Sequence, residues 1–149
     1  MFRKKKQHTL KCQLTVDKKT LEIICLFVGK GSNHDFYIFK ASKLKLHPQT
    51  KTYQDSGYQG IAKYHQNSVI PHKKRKNQEL TVEQKKENQA LSKERIKIEH
   101  VNRSLKTFKI IQGRYRNRAR GYELRCNLIA AIYNHELKVS QQSNQAIDV

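Results

Sequence analysis

Hydrophobic and polar residues alternate strictly at the start of the chain. Leu10, Cys12, Leu14 and Val16 point one way, and Thr9, Lys11, Gln13 and Thr15 the other. A period of two predicts a half-buried strand over residues 9–16. Asp17-Lys18-Lys19-Thr20 reads as a polar turn. The run LEIICLFV, residues 21–28, is continuously apolar and rich in strand formers, so it predicts a second, more buried strand. The two should form an antiparallel hairpin, closed off by Gly29, Gly31 and Ser32. Residues 35–44 predict a short helix packed through Phe36, Phe39 and Leu44 and broken at His47-Pro48. Thr52 to Gln54 predicts a third, short strand leading into Asp55, and residues 66–80 show no periodicity and read as a loop.

Thr81 with Gln84 three residues on forms a capping box, and no proline or glycine follows until past Lys109. A long helix is expected there, with Ile98, Val101, Leu105 and Phe108 toward the core. After Gly121 a second helix should run to about Leu137. Its apolar residues Leu124, Leu128, Ile129, Ile132 and Tyr133 cover much of its circumference, which predicts a buried helix. Residues 140–149 read as a disordered, polar tail after a domain spanning 1–139. The predicted order is strand, strand, short helix, strand, long helix, helix. That is α/β, with few strands for a complete sheet.

Composition adds a partner. The 149 residues carry 31 Lys and Arg against 12 Asp and Glu, a formal net charge of +19. A field of that sign attracts polyanions, nucleic acid first. The longest apolar run, Ile23 to Val28, is too short for a signal core or a membrane span, and the basic residues form no amphipathic anchor. Three widely spaced cysteines, Cys12, Cys25 and Cys126, suit neither a disulfide framework nor a zinc knuckle. They indicate buried thiols in a reducing, cytoplasmic compartment.

Two acids are candidates for chemistry. Asp55 ends a short strand and is followed by Gly57 and Gly60. That setting suits a metal ligand and equally an ordinary turn aspartate. On the long helix, Asn88, Arg95, Glu99, Asn102 and Lys106 fall within a band roughly 60° wide at about 100° per residue. Glu99 thus lies on a polar stripe between cations, which keep a carboxylate ionised. Arg95 and Glu99 at this spacing are also consistent with a plain surface ion pair.

Taken together, DSGYQGI, the stretch PHKKRKNQELTVEQKKENQALSKERIKIEHVNRSLKTFKII, YRNR and NLIAAIYN resemble the carboxy-terminal part of bacterial insertion-sequence transposases with a DDE catalytic core. KKKQHTLKCQLTVD and GSNHDFYIFKAS resemble the stretches before the second acid in the same families, so the likeness covers roughly residues 3–137. The resemblance implies a ribonuclease-H-like fold in which Asp55 is the second acid and Glu99 the third. Arg95 and Lys106 match the arginine–glutamate–lysine spacing of related transposases, but Ser92 stands where a related pattern has tyrosine. His34 and Asp35 match a pair at the start of the first helix, where Asp35 by default is an N-cap. Three acids in such enzymes hold two divalent ions, Mg2+ or Mn2+, for strand cleavage at transposon ends and joining to target DNA. Phosphate contacts are expected from Lys73, Lys74, Arg75 and Lys76 and from Arg114, Arg116 and Arg118.

The first acid should precede the strand at 9–16, on the central strand of the fold, and only MFRKKKQH stands there. Asp17 is at the wrong strand position. The expectation is therefore a truncated, nucleoid-associated transposase domain, inactive alone, that is completed by an upstream fragment and oligomeric when whole. Its two strands next to the missing one would be exposed to aggregation. The competing readings are a non-catalytic basic nucleic-acid-binding protein, with Tyr115 either stacking on a base or structural, and, from charge alone, a small RNA-associated structural protein.

Overall fold

The computed structural model describes residues 10–74, 76, 78–112 and 121–147. Elements follow the order β1 (Leu10–Val16), β2 (Ile23–Lys30), α1 (Asp35–Ala41), β3 (Thr52–Tyr53), β4 (Ser68–Val69), α2 (Val82–Lys106), α3 (Lys109–Gln112) and α4 (Tyr122–Ile147). Two 3-10 turns, Ser56–Tyr58 and Ile61–Lys63, lie between β3 and β4. The chain is a mixed α/β protein with two two-stranded sheets, β1–β2 antiparallel and β3–β4 parallel. It divides into two compact units. One comprises the chain up to Asn33 and from Ile98 onward, the other His34–Lys97.

In the first unit the expected hairpin forms. Asp17 closes it by accepting the backbone N–H of Lys19 and of Thr20 on Oδ1, each at 2.8 Å, and Leu21 turns the chain with a φ of 62°. Pairing is regular from Leu10↔Lys30 to Thr15↔Cys25, then slips so that Val16 meets Ile23. Ile24 is the extra residue of this bulge and stays 64% exposed. A bulge changes which face the following residues present. That is why Ile23 and Leu26, an odd and an even position of one apolar run, are both buried. They pack with Val101 and Leu105 of α2 and with Tyr122, Cys126, Ile129 and Ala130 of α4.

α4 is fastened to β2 by one side chain. Asn134 accepts the Ile23 N–H at 2.9 Å and donates to the Ile23 carbonyl at 2.9 Å, completing both backbone groups of that residue. Cys12 Sγ lies 3.5 Å from Cys126 Sγ and 3.8 Å from the Tyr122 hydroxyl. Burial pushes the Cys126 thiol up to about 12, so it packs as a small apolar group. All three cysteines are free thiols, but Cys12 and Cys25 are only half-buried.

Several boundaries differ from the sequence reading. Helix α4 is not buried all round: Leu124 and Leu128 are 74% and 61% exposed, because its packed face is the one carrying Tyr122, Cys126 and Ile129. It also continues beyond Leu137 to Ile147, across the segment expected to be disordered. No glycine or proline interrupts that segment, and Lys138 pairs with Glu22 at 3.1 Å. The long helix stops at Lys106 rather than Lys109, where Thr107 Oγ1 donates to the Ser104 carbonyl at 2.7 Å and α3 follows. Its N-terminal capping box is as expected, with Thr81 N–H donating to Gln84 Oε1 and Gln84 N–H to Thr81 Oγ1.

In the second unit α1 ends at Ala41, short of Leu44, since Lys43 adopts a φ of 52° that no helix continues. Ile38 is its buried residue, while Phe36 and Phe39 make edge contacts with Tyr64 and Tyr58. β4 lies inside the expected loop. Two residues are too short for a period to be read, and its pairing with β3 is held by the Thr52 N–H on the Asn67 carbonyl at 2.9 Å and the Gln54 N–H on the Val69 carbonyl at 3.0 Å, with Thr52 Oγ1 and Ser68 Oγ 3.1 Å apart beside them. Buried His65, which the sequence reading passed over, ties this region together through its Nε2 and the Thr50 carbonyl.

Asn134→Ala strands the Ile23 N–H and carbonyl and should cost about 1–3 kcal/mol in denaturant unfolding. A second expectation concerns pH. Backbone donors hold the Asp17 carboxyl below its ordinary value of 3.8. A carboxyl depressed in the folded state adds stability above that value and loses it as pH falls through the folded one. Thermal unfolding of Asp17→Asn should therefore show a lower Tm at neutral pH and a shallower fall through acid pH than the parent chain.

Candidate active site

The second unit places Asp55 directly after β3, as the cap of the 3-10 turn Ser56–Tyr58. Its Oδ1 accepts the N–H of the next residue, Ser56, at 2.6 Å. Its Oδ2 accepts from Arg95 Nη2 of α2 at 3.1 Å. Both oxygens are thus engaged, although the Asp55 side chain remains 51% exposed and that of Arg95 34%. The turn itself sits close to the start of α1. A Cβ on Gly57 would lie 3.5 Å from Asp35 Oδ2. Tyr58 follows, its phenol pushed up to about 12 by burial first and then by the charges of Asp35 and Asp55. Two carboxylates therefore share the environment of one phenol. The N-cap of α1 is His34, whose Nδ1 accepts the Phe36 N–H at 3.4 Å, and not Asp35, which occupies the first helical position.

The structure brings Asp55 and Arg95 together. Spacing along α2 had associated Arg95 with Glu99, and only the fold reveals its partner to be forty residues away in sequence. Glu99 and Lys106 are exposed on the part of α2 that belongs to the first unit, with Asn102 half-buried between them.

Part of the basic run is held on α2. The His72 N–H donates to Asn88 Oδ1 at 2.8 Å, Asn88 Nδ2 donates to the His72 carbonyl at 3.0 Å, and His72 Nε2 meets Glu87 Oε2 at 2.6 Å. Asn88 thus acts as a side-chain imitation of a strand edge, a role its place on the polar stripe did not reveal. Lys73, Lys74 and Lys76 are exposed beyond this clamp, with Lys74 3.3 Å from Glu79. Arg75, Arg114, Tyr115, Arg116 and Arg118 lie outside the described residues.

A divalent ion of the Mg2+ or Mn2+ kind takes hard oxygen ligands. Asp55, a half-exposed carboxyl side chain, fits such an ion in donor type. Among the described residues no group of three or more His, Cys, Asp or Glu side chains has the geometry to hold a metal. Nor, among them, is any helix long and apolar enough to cross a membrane.

The chain is similar to known proteins over most of its length. The DDE superfamily endonuclease family matches residues 1–134. A probable transposase for insertion sequence element IS702 of Microchaete diplosiphon is 53% identical over 131 residues, which cover 88% of this chain. The chain spans 48% of that relative's length. No solved structure matches. The chain belongs to the DDE superfamily endonuclease family.

Proposed function

We propose that this chain carries the second and third acids of a DDE transposase centre, Asp55 and Glu99, and acts on DNA. The observation that carries the reading is the position of Asp55. It is a carboxyl side chain directly after a strand, in a chain of this family, with Arg95 of the long helix against it. β1, β2, α1, β3 and α2 are read as part of a ribonuclease-H-like fold.

In this reading Asp55 and Glu99 supply oxygen ligands to divalent cations. Two such ions in a complete site activate the attacking oxygen and stabilise the leaving one during cleavage and joining of DNA strands. What the chain's own residues contribute is binding and charge. Lys106 and the basic run Lys73, Lys74 and Lys76 neutralise phosphates of transposon ends and target. Their lysine heads are hydrated and rotatable, so they suit sequence-independent backbone contact. The partner is DNA, and the complete enzyme is proposed to work as an oligomer in the cytoplasm at the nucleoid.

Three acids complete a centre of this type, and these 149 residues supply matches for two. With manganese and transposon-end DNA, the isolated chain is predicted to give no strand-transfer product. Clear product would refute the assignment of a site short of one acid.

Binding is testable on the same chain. Asp55→Asn and Glu99→Gln should each weaken Mn2+ binding by calorimetry about tenfold or more, at least the loss that follows damage to a metal's supporting shell. Unchanged binding in both variants would return the chain to a non-catalytic basic binder. Replacing Lys73, Lys74 and Lys76 with Gln should weaken duplex binding uniformly across sequences. The slope of log K against log salt should become shallower by about 0.9 for each phosphate that the variant no longer neutralises.

A further inference from the structure

Resting on the reading of Asp55 as a metal ligand, we propose that Arg95 is an electrostatic latch on that site. It occupies Asp55 Oδ2 until a divalent cation displaces it, and the released guanidinium then serves a DNA phosphate. The geometry is specific. Asp55 Oδ1 is committed to the Ser56 N–H, which fixes the plane of the carboxylate. The remaining oxygen, Oδ2, faces Arg95 Nη2 at 3.1 Å. A hard cation binding Oδ2 at about 2.0–2.1 Å would stand beside the guanidinium's own positive charge. Guanidinium does not deprotonate to make room, so the two positive charges compete for one carboxylate.

Exposure makes the competition reversible. With the carboxylate half exposed and the guanidinium a third exposed, the pair is screened and of the weak, surface kind. A divalent ion carries twice the charge and approaches more closely. Once displaced, Arg95 lies on the solvent-facing stripe of α2 that also carries Glu99 and Lys106, beside the oxygen it has left. Guanidinium is well suited to a bidentate phosphate contact there. Metal loading and phosphate capture are thereby coupled through one side chain. The site keeps its carboxylate paired and oriented without metal, and offers its strongest phosphate donor only when metal is present.

The test is a double-mutant cycle on the 149-residue chain, read by Mn2+ calorimetry. Arg95→Gln should tighten Mn2+ binding about two- to fivefold, the range that an exposed ion pair accounts for. Arg95→Lys should stay near the parent value. Lys93→Gln, which removes a charge from an exposed position of the same helix, should change binding by less than Arg95→Gln. In an Asp55→Asn background the effect of Arg95→Gln should vanish, because latch and ligand act through one oxygen. Independently, the side-chain 15N resonances of Arg95 should shift on adding Mg2+ and stay in place in Asp55→Asn. Equal tightening by Arg95→Gln and Lys93→Gln, with Asp55→Asn still weakening Mn2+, overturns the latch and leaves the ligand assignment standing. Unaltered Mn2+ binding in Asp55→Asn overturns the ligand assignment, and the latch with it.

Discussion

Cations outnumber carboxylates in this chain by 31 to 12, and several of the acids are found against a basic side chain. Glu22 meets Lys138, Glu79 meets Lys74, Glu87 meets His72 and Asp55 meets Arg95. Asp17 takes backbone donors at the hairpin turn instead. In such a field an ionised carboxylate is readily satisfied by a nearby cation, and the excess of positive charge is left facing outward. These exposed pairs each contribute little to stability. Their effect is on position: Glu87 and Asn88 fix where the basic run leaves α2, and Arg95 holds Asp55 Oδ2. Stability comes from elsewhere, chiefly the apolar cluster of β1, β2, α4 and the end of α2.

The parts of the fold legible in the sequence were those with a repeating local cause. Alternation at residues 10–16 and the capping box at Thr81 each name their element, and both are found. β4 was not legible, because two residues carry no period and are held by backbone bonds to a strand distant in sequence. The bulge at Ile24 was not legible either, since a continuous apolar run looks the same in any register. Helix α4 was assigned the wrong burial for a related reason. Leu124 and Leu128 are as apolar as Ile129, and only packing decides which face is covered.

The candidate site divides in the same way. Asp55 was singled out by its place at a strand end, a local feature equally suited to a turn aspartate, and only the family resemblance made it a candidate acid. Its partner was not singled out, because i, i+4 spacing offered Glu99 for Arg95 and sequence distance concealed Asp55. Asn88 was missed as the clamp on His72 because an asparagine on a polar helix stripe gives no sign of the backbone it meets. Long-range polar contacts of this kind leave no periodic trace.

Asp55 as a divalent-ion ligand is the claim on which the functional account stands. Iron-directed backbone cleavage tests it most directly. Fe2+ is loaded in place of Mg2+, ascorbate and peroxide are added, and the cut positions are read by mass spectrometry. The account predicts cuts clustered around Asp55 and around Glu99, suppressed by excess Mg2+ and lost near residue 55 in Asp55→Asn. Cuts centred elsewhere, with none near Asp55 in the parent chain, would contradict it.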